Sequence, residues 1–399
     1  MVSSLIPFGS SVDSKVIFEV NGTPYQNFKS IRLSKSLEGF AHVFDAVATR
    51  NLSDEFPIKP GDEVSIYLDN IIAFTGYVEF FDDSLDSGSH EMAIGGRSKT
   101  LVCLKSNAIR ESSFNPKAQF RDIIFKLLNR NGIKAENILS KDAKRGKDEN
   151  FIGIIDLANP SPFDVGDVID AKVGDNLFEL MEKYAQKRQV LLNTDAYGNI
   201  VITRGSSDLV NSSLVMRTPK AFFDQTRQTN ILSRQYTRDD QDRYNKYIIK
   251  SQSNLSALPI GSSSSPMDIT NKQGEAVDSD MNKELIRVLI DDSDSNQTAQ
   301  ERATWEANIA RARSIKYNCV VQGFKPDGIT DQLWEQNKLI KVIDDTVKID
   351  SNMLISSVGF MFSSDSGSQT ALQLISPDSY SLQAEQNEVE ARSNQFIYP

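Results

Sequence analysis

Asp62-Glu63-Val64-Ser65-Ile66-Tyr67-Leu68, Asp69-Asn70, then Ile71-Ile72-Ala73-Phe74-Thr75-Gly76-Tyr77-Val78-Glu79-Phe80 is the stretch whose reading decides the fold. Val64, Ile66 and Leu68 alternate with other residues at the period of a half-buried strand. Asp69-Asn70 is a pair that tolerates positive φ, so the two runs predict a tight antiparallel hairpin. An Asp86-Ser87-Gly88-Ser89 turn and a third strand, Glu91 to Ile94, follow. The same order returns near the other end: a strand (Leu339 to Ile343), an acidic turn (Asp344-Asp345), a strand (Leu354 to Phe362), an Asp365-Ser366-Gly367-Ser368 turn and a strand (Thr370 to Ile375). This internal repeat predicts two similar antiparallel β-barrels in one chain. Two unrelated hairpins that share common turn residues remain the alternative reading.

Working outward, Val16-Ile17-Phe18, Asn21-Gly22, Ile31 to Leu33 and Pro60-Gly61 fill a first barrel over residues 1–108. The period then changes. Asn115-Pro116 reads as an N-cap and first-turn proline ahead of Phe120, Ile123, Ile124, Leu127 and Leu128, which lie on one helical face until Asn131-Gly132. A second helix runs from about Asp175 to Arg188, and a hairpin from Val190 to Thr203 completes an α+β domain over 109–205. Residues 206–250 and 312–380 are assigned to the second barrel, with Tyr244 to Ile249 as one of its strands. Between them, 251–311 forms a Ser-rich loop followed by a helix, opened by the capping box Thr298-Ala299-Gln300-Glu301 and continuing through Trp305, Ile309 and Ala312. A polar tail occupies 381–399. The fold class is thus α+β and β-rich, with an α+β domain and a small helical and loop segment between the barrels.

The chain has 399 residues, 44 Lys+Arg against 54 Asp+Glu, and a net charge of −10. That length implies several domains. A deficit of positive charge argues against tight nucleic-acid binding. No apolar run is long enough for a membrane span. Met1 to Ser14 lacks the basic start and apolar core of a Sec signal peptide, so synthesis in a cytoplasm is expected. Cys103 and Cys319 are too few for a disulfide framework or a CxxC metal site and are expected to be buried small hydrophobes.

Chemistry-bearing motifs are sparse. His42 and His90 are the two histidines, neither with a partner motif, and both are read as structural or exposed. Gly95-Gly96-Arg97-Ser98-Lys99-Thr100 ends like a P-loop but has Ala93 and Ser98 where glycines are required. It is read as a strand leaving a barrel. Asp82-Asp83, Asp239-Asp240, Asp291-Asp292 and Asp344-Asp345 lack the spacing of an EF-hand and are read as solvated turn residues. No catalytic, cofactor-binding or metal residue is assigned, no cofactor is expected, and the chain reads as a structural or assembly protein.

Pro60-Gly61-Asp62-Glu63-Val64, Phe74-Thr75-Gly76-Tyr77-Val78 and Gly96-Arg97-Ser98-Lys99-Thr100 resemble the N-terminal barrel of the baseplate hub proteins of Mu-like contractile-tailed phages. Arg302-Ala303-Thr304-Trp305-Glu306, Val321-Gln322-Gly323-Phe324, Leu333-Trp334, Asn337-Lys338-Leu339, the Asp344-Asp345 turn and Ser376-Pro377-Asp378-Ser379-Tyr380 follow in the order found there. The resemblance covers most of the chain and departs from the family at 251–283 and after Tyr380. It implies a virion protein assembled in the bacterial cytoplasm and similar to the T-even hub. It further implies a homotrimer whose two barrels per subunit make a pseudo-sixfold ring. Such a ring would dock a tail tube or tube-initiator protein on one side and a central spike on the other, among other baseplate proteins. DNA would pass through its acidic bore without specific binding. Two other function classes stay in view: a tail-associated cell-wall hydrolase, for which no carboxylate or Cys/His set stands in context, and a carbohydrate-binding module, for which Trp305 and Trp334 are too few.

Overall fold

In the computed structural model, residues 15–25, 28–49, 58–86, 89–138, 151–163, 169–217, 229–251, 273–291, 296–327 and 331–377 are described. The N-terminal stretch, the Ser-rich run 252–266, Ser87-Gly88, Asp292, Asp378 to Tyr380 and the polar tail, all read above, lie outside them. The alternating strands at the start build the first barrel: β1 (Val16–Val20), β2 (Thr23–Tyr25), β3 (Phe28–Ser36), β4 (Val43–Thr49), β5 (Glu63–Leu68), β6 (Ile71–Asp86) and β7 (Ser89–Ser98). Their neighbour order is β2-β1-β5-β6-β7-β4-β3, antiparallel throughout. Asp69 and Asn70 take φ of 51° and 65°, the conformation a two-residue hairpin demands. Phe18 closes the interior, its ring centroid 4.5 Å from Phe28 and 5.6 Å from Phe44.

The α+β unit contains α1 (Leu101–Lys105), β8 (Ser112–Phe114), α2 (Phe120–Arg130), β9 (Ala135–Ile138), β10 (Ile152–Asp156), β11 (Ile169–Ala171), α3 (Leu177–Lys187), β12 (Leu191–Thr194) and β13 (Ile200–Thr203). The expected β12–β13 hairpin extends into a sheet ordered β12-β13-β10-β9, whose apolar face packs on α2 and α3. Asn115-Pro116 does not cap α2. The Asn115 carboxamide accepts from the Lys117 amide at 3.0 Å and closes a turn of its own, and extended Gln119 is the residue from which the helix starts. Asn176 caps α3 as its position suggests, accepting from Phe178 N and Glu179 N.

The remaining elements are β14 (Leu209–Met216), β15 (Ile231–Arg238), β16 (Lys246–Ser251), β17 (Gln273–Val277), β18 (Ile286–Asp291), α4 (Asn296–Ser314), β19 (Ile315–Gln322), β20 (Leu339–Asp344), β21 (Ile349–Ser363) and β22 (Gly367–Ile375). The second barrel runs β15-β19-β22-β21-β20-β14. Asn230 ties β14 back to the start of β15: its amide donates to Val215 O at 3.1 Å and its side chain to Ser213 O at 2.7 Å. Contrary to the sequence reading, β16 is not a barrel strand. It is the middle of a three-stranded sheet, β17-β16-β18, lying under α4, because Ile249 packs against Ala299 and Ala303 rather than into the barrel core. A Cβ at Gly274 would run into the backbone of Ala299, so helix and sheet approach as closely as glycine allows. α4 starts at Asn296, which leaves Thr298 inside the helix instead of at its cap. Gln300 uses its carboxamide to satisfy edge strand β17, donating to Glu275 O at 2.6 Å and accepting from Glu275 N at 3.0 Å.

The repeat is deeper than the hairpins that revealed it. β3, β4, β5, β6 and β7 recur as β15, β19, β20, β21 and β22 with the same neighbours, and two bulges recur with them. β6 skips Glu79 against β7 where β21 skips Ser356 against β22. β3 skips Lys29 against β4 where β15 skips Leu232 against β19. Coincident bulges in five matched strands exclude a chance likeness of turns. They also correct its register: Asp86 corresponds to Ser363 rather than Asp365, since the second turn holds one more residue. The shared turn sequence thus found the right hairpin in a shifted register, displaced by two residues on the strand before the turn and by one, which exchanges the faces, on the strand after it. The barrels differ in the strand beside this set, since β1 lies antiparallel to β5 whereas β14 lies parallel to β20, and in a bulge of β6 against β5 that β21 lacks against β20.

Candidate functional site at the barrel junction

β21 is long because it serves both barrels. Its first half pairs with β20, and beyond the bulge its second half pairs on that same side with β3, from Ser357 opposite Ser36 to Ser363 opposite Ser30. The two barrels therefore form a single 13-stranded sheet around one continuous apolar cluster. Ile31, Leu33, Val358 and Phe360 are buried at this joint. Lys35, directly opposite Val358, lays its ammonium over the Phe360 ring, 5.5 Å from the centroid. Burial lowers the Lys35 pKa to about 8, with Glu335 and Asp195 opposing that fall.

A cavity of about 600 Å³ opens where the junction meets the α+β unit, lined by Lys35, His42, Asn193, Asp195, Arg204 and Gln336 among others. Its polar groups tie segments together. Asn193 donates to Ser36 O at 2.7 Å and Leu37 O at 2.9 Å. Gln336 donates to Asn193 Oδ1 and to His42 Nε2, both at 3.2 Å. Asp195 accepts from Tyr197 N, Asn199 N and Asn199 Nδ2, closing a turn, and its pKa is raised chiefly by burial. His42 is buried, and that burial, reinforced by Lys35, lowers its pKa to about 3. The imidazole is neutral and holds no second group poised for proton transfer. His90 sits by the first hairpin with Nε2 2.5 Å from Asp83 Oδ1.

The glycine pair before Lys99-Thr100 serves packing. A Cβ at Gly96 would meet the Tyr77 carbonyl, and one at Gly95 the Phe80 ring. The basic residues that follow are spent on ion pairs: Arg97 to Glu79 at 2.5 and 2.9 Å, and Lys99 to Glu63 at 2.8 Å. Cys103 and Cys319 are buried, which pushes both thiols up to about 12. One acidic turn contradicts its solvated reading: Asp344 is fully buried, because Arg234, Tyr317 and Thr346 all donate to it. Among the described residues no group of three or more metal-ligating side chains occurs, and no helix is long and apolar enough to cross a membrane.

The features sequence reasoning missed are strand edges. Beyond Val78, β6 pairs with β7 on one side, and along Asp82–Leu85 no described strand covers the other. β15 is the terminal strand of the sheet path, with six strands between it and β6. The unusual length of β6, acidic in its second half, was the available signal.

Residues 15–98 match the family described as Mu phage baseplate assembly protein GpP-like, N-terminal, and residues 295–383 match that described as Mu phage baseplate assembly protein GpP, fourth domain. Among solved structures, the 43 kDa tail protein of prophage MuSo2 from Shewanella oneidensis aligns at a TM-score of 0.70 and 22% identity, over 92% of this chain and 99% of that one. The tail protein from Neisseria meningitidis MC58 aligns at a TM-score of 0.72 and 19% identity, over the same 92% and 99%. An Escherichia coli type VI secretion component described as similar to the T4 tail proteins gp27 and gp5 aligns at 0.50 and 10% identity, over 92% of this chain and 78% of that one. No curated protein matches the chain. The aligned structures show that the chain has the fold of these phage tail proteins. More particularly, its first barrel and its closing region match domains of Mu phage baseplate assembly proteins of the GpP type.

Proposed function

We propose that this chain is the hub of a contractile-tail baseplate. Three copies stand in a ring, and two quasi-equivalent barrels from each present six similar surfaces to a sixfold tail tube or its initiator, while the threefold arrangement seats a central spike. The observation that carries this reading is the repeat of five strands in the same neighbour order with two matched bulges, which makes the two barrels alike enough to occupy equivalent places. The net charge of −10 supports a bore that repels phosphate, so that DNA slides through without being held. The role is mechanical, needs no cofactor, and is carried out in the virion after assembly in the host cytoplasm.

Electron microscopy of the purified chain with its tube protein tests the reading. The expected class averages show a ring of six lobes with threefold modulation; rings of another order, or isolated chains decorating the tube, would contradict it. A zymogram on peptidoglycan is expected to show no clearing, and lysis would reassign the protein to the hydrolases.

A further inference from the structure

One chain contains one complete barrel junction and the two halves of another. In the complete junction, β3 takes the edge of β21 that β20 leaves open. The repeat puts β6 in the place of β21 and β15 in the place of β3. Along Asp82–Leu85 no described strand pairs with the corresponding edge of β6, and β15 is the corresponding terminal strand among the described ones. The two halves lie far apart on the sheet path, separated by β19, β22, β21, β3, β4 and β7.

We propose that β15 of one copy pairs antiparallel with the second half of β6 of the next, in the register of the internal junction. Transferring that register through the matched bulges gives definite partners. Gly359 opposite Ser34 becomes Asp82 opposite Thr237, and Phe360 opposite Leu33 becomes Asp83 opposite Tyr236. Met361 opposite Arg32 becomes Ser84 opposite Gln235, and Phe362 opposite Ile31 becomes Leu85 opposite Arg234.

Exposure and charge both favour a second copy as the occupant. Phe80, Leu85 and Leu232 are 49%, 64% and 54% exposed, whereas Leu33 and Phe360 of the internal junction are 1% and 2% exposed. The β6 edge carries Asp82 and Asp83, and β15 carries Arg238, Arg234 being bound to Asp344 of its own barrel. In the transferred register Arg238 takes the place of Lys35, and Asp83 that of Phe360. The internal ammonium-over-ring contact thus becomes an ion pair between copies. Arg238 is available for it, standing 3.5 Å from Asp240 and more than half exposed. The aspartates also explain how so long an open strand stays soluble before assembly. The contact is heterologous, so it closes into a ring or runs on as a filament; closure at three copies rests on the hub reading.

Disulfide trapping in the full-length chain tests the pairing. Ser84→Cys with Gln235→Cys places thiols on directly opposed residues, within disulfide reach. Ser84→Cys with Ser233→Cys shifts them by two residues and out of reach. Under mild oxidation the first variant is expected to link between chains about tenfold faster than the second, with no covalent species above the trimer. Arg238→Glu is expected to weaken association, and Asp83→Arg added to it to restore it. A trimer by light scattering that links no faster in the first variant overturns the pairing and leaves the ring. Fast links in assemblies of another size keep the pairing and overturn the threefold ring. A chain monomeric at every concentration overturns both.

Discussion

The hydroxyl of Tyr317 donates to the carboxylate of Asp344 at 2.8 Å inside the second barrel, at the place where the first barrel has Phe44. Phe44 lies opposite Gly96, and Tyr317 opposite the matched Leu374. The additional oxygen is balanced by a buried charge that the first barrel lacks. Burial alone would raise the Asp344 pKa, but donation from Thr346, Tyr317 and Val347 outweighs it and holds the carboxyl below its ordinary range.

Tyr317→Phe is therefore expected to cost about 1–3 kcal/mol in urea unfolding, because a buried acceptor loses a donor without gaining water. Asp344 is depressed in the folded state, so its contribution is full above the unfolded value of about 3.9 and disappears as pH falls through the lower folded value. Asp344→Asn is expected to flatten that acid limb.

Gly96→Ala is expected to cost on the order of 3 kcal/mol, since the added Cβ meets the Tyr77 backbone, which cannot yield within the sheet. Gly359→Ala is the control. Its Cβ would meet Ala371 at 3.6 Å, an ordinary contact, and the change is expected to fall within about 1 kcal/mol of neutral. Thermal unfolding of the two variants side by side distinguishes a steric glycine from a tolerated one.

His42 supplies the pH dependence near the cavity. Its folded pKa, lowered to about 3 mainly by burial, lies below the ordinary 6.5, so the unfolded chain binds the proton first. Stability is whole above about 6.5 and declines as pH falls toward 3. His42→Gln is expected to abolish that slope in denaturation midpoints measured from pH 7 to 4; an unchanged slope would show that another group causes it.

Arg243 is buried and donates to Asp278 from Nε at 2.6 Å and from Nη2 at 3.0 Å, with Asp240 at Nη1 and Asp280 sharing Nη2. Arg243→Ala leaves the buried Asp278 carboxylate to Arg311 and the Asp280 amide, both on one oxygen. A loss of about 3–5 kcal/mol is expected, confined to the three-stranded sheet. Hydrogen exchange should therefore quicken in β16 to β18 and not in the barrels.

Much of this architecture was legible because local chemistry enforced it. Asp69-Asn70 permits few conformations other than the hairpin it forms, and the Phe120 to Leu128 spacing admits only a helix. What was not legible depends on partners distant in sequence. Nothing near Lys246 says that α4, some fifty residues on, will draw β16 out of the barrel. Nothing near Asp344 says that Arg234 and Tyr317 will enclose it. The junction of β3 with β21 joins residues over three hundred apart, and its register is set by a bulge that no single residue type announces. The absence of an assigned catalytic residue left the interface as the feature to find, and an interface edge is written in strand length and charge rather than in a motif.

Light scattering of the purified full-length chain tests the central claim most directly. Three copies of a 44.5 kDa chain weigh 133.5 kDa, and a mass of that size that persists on dilution is the expected result. A mass of 44.5 kDa at every concentration measured, or a stable assembly of two or four copies, would contradict the ring.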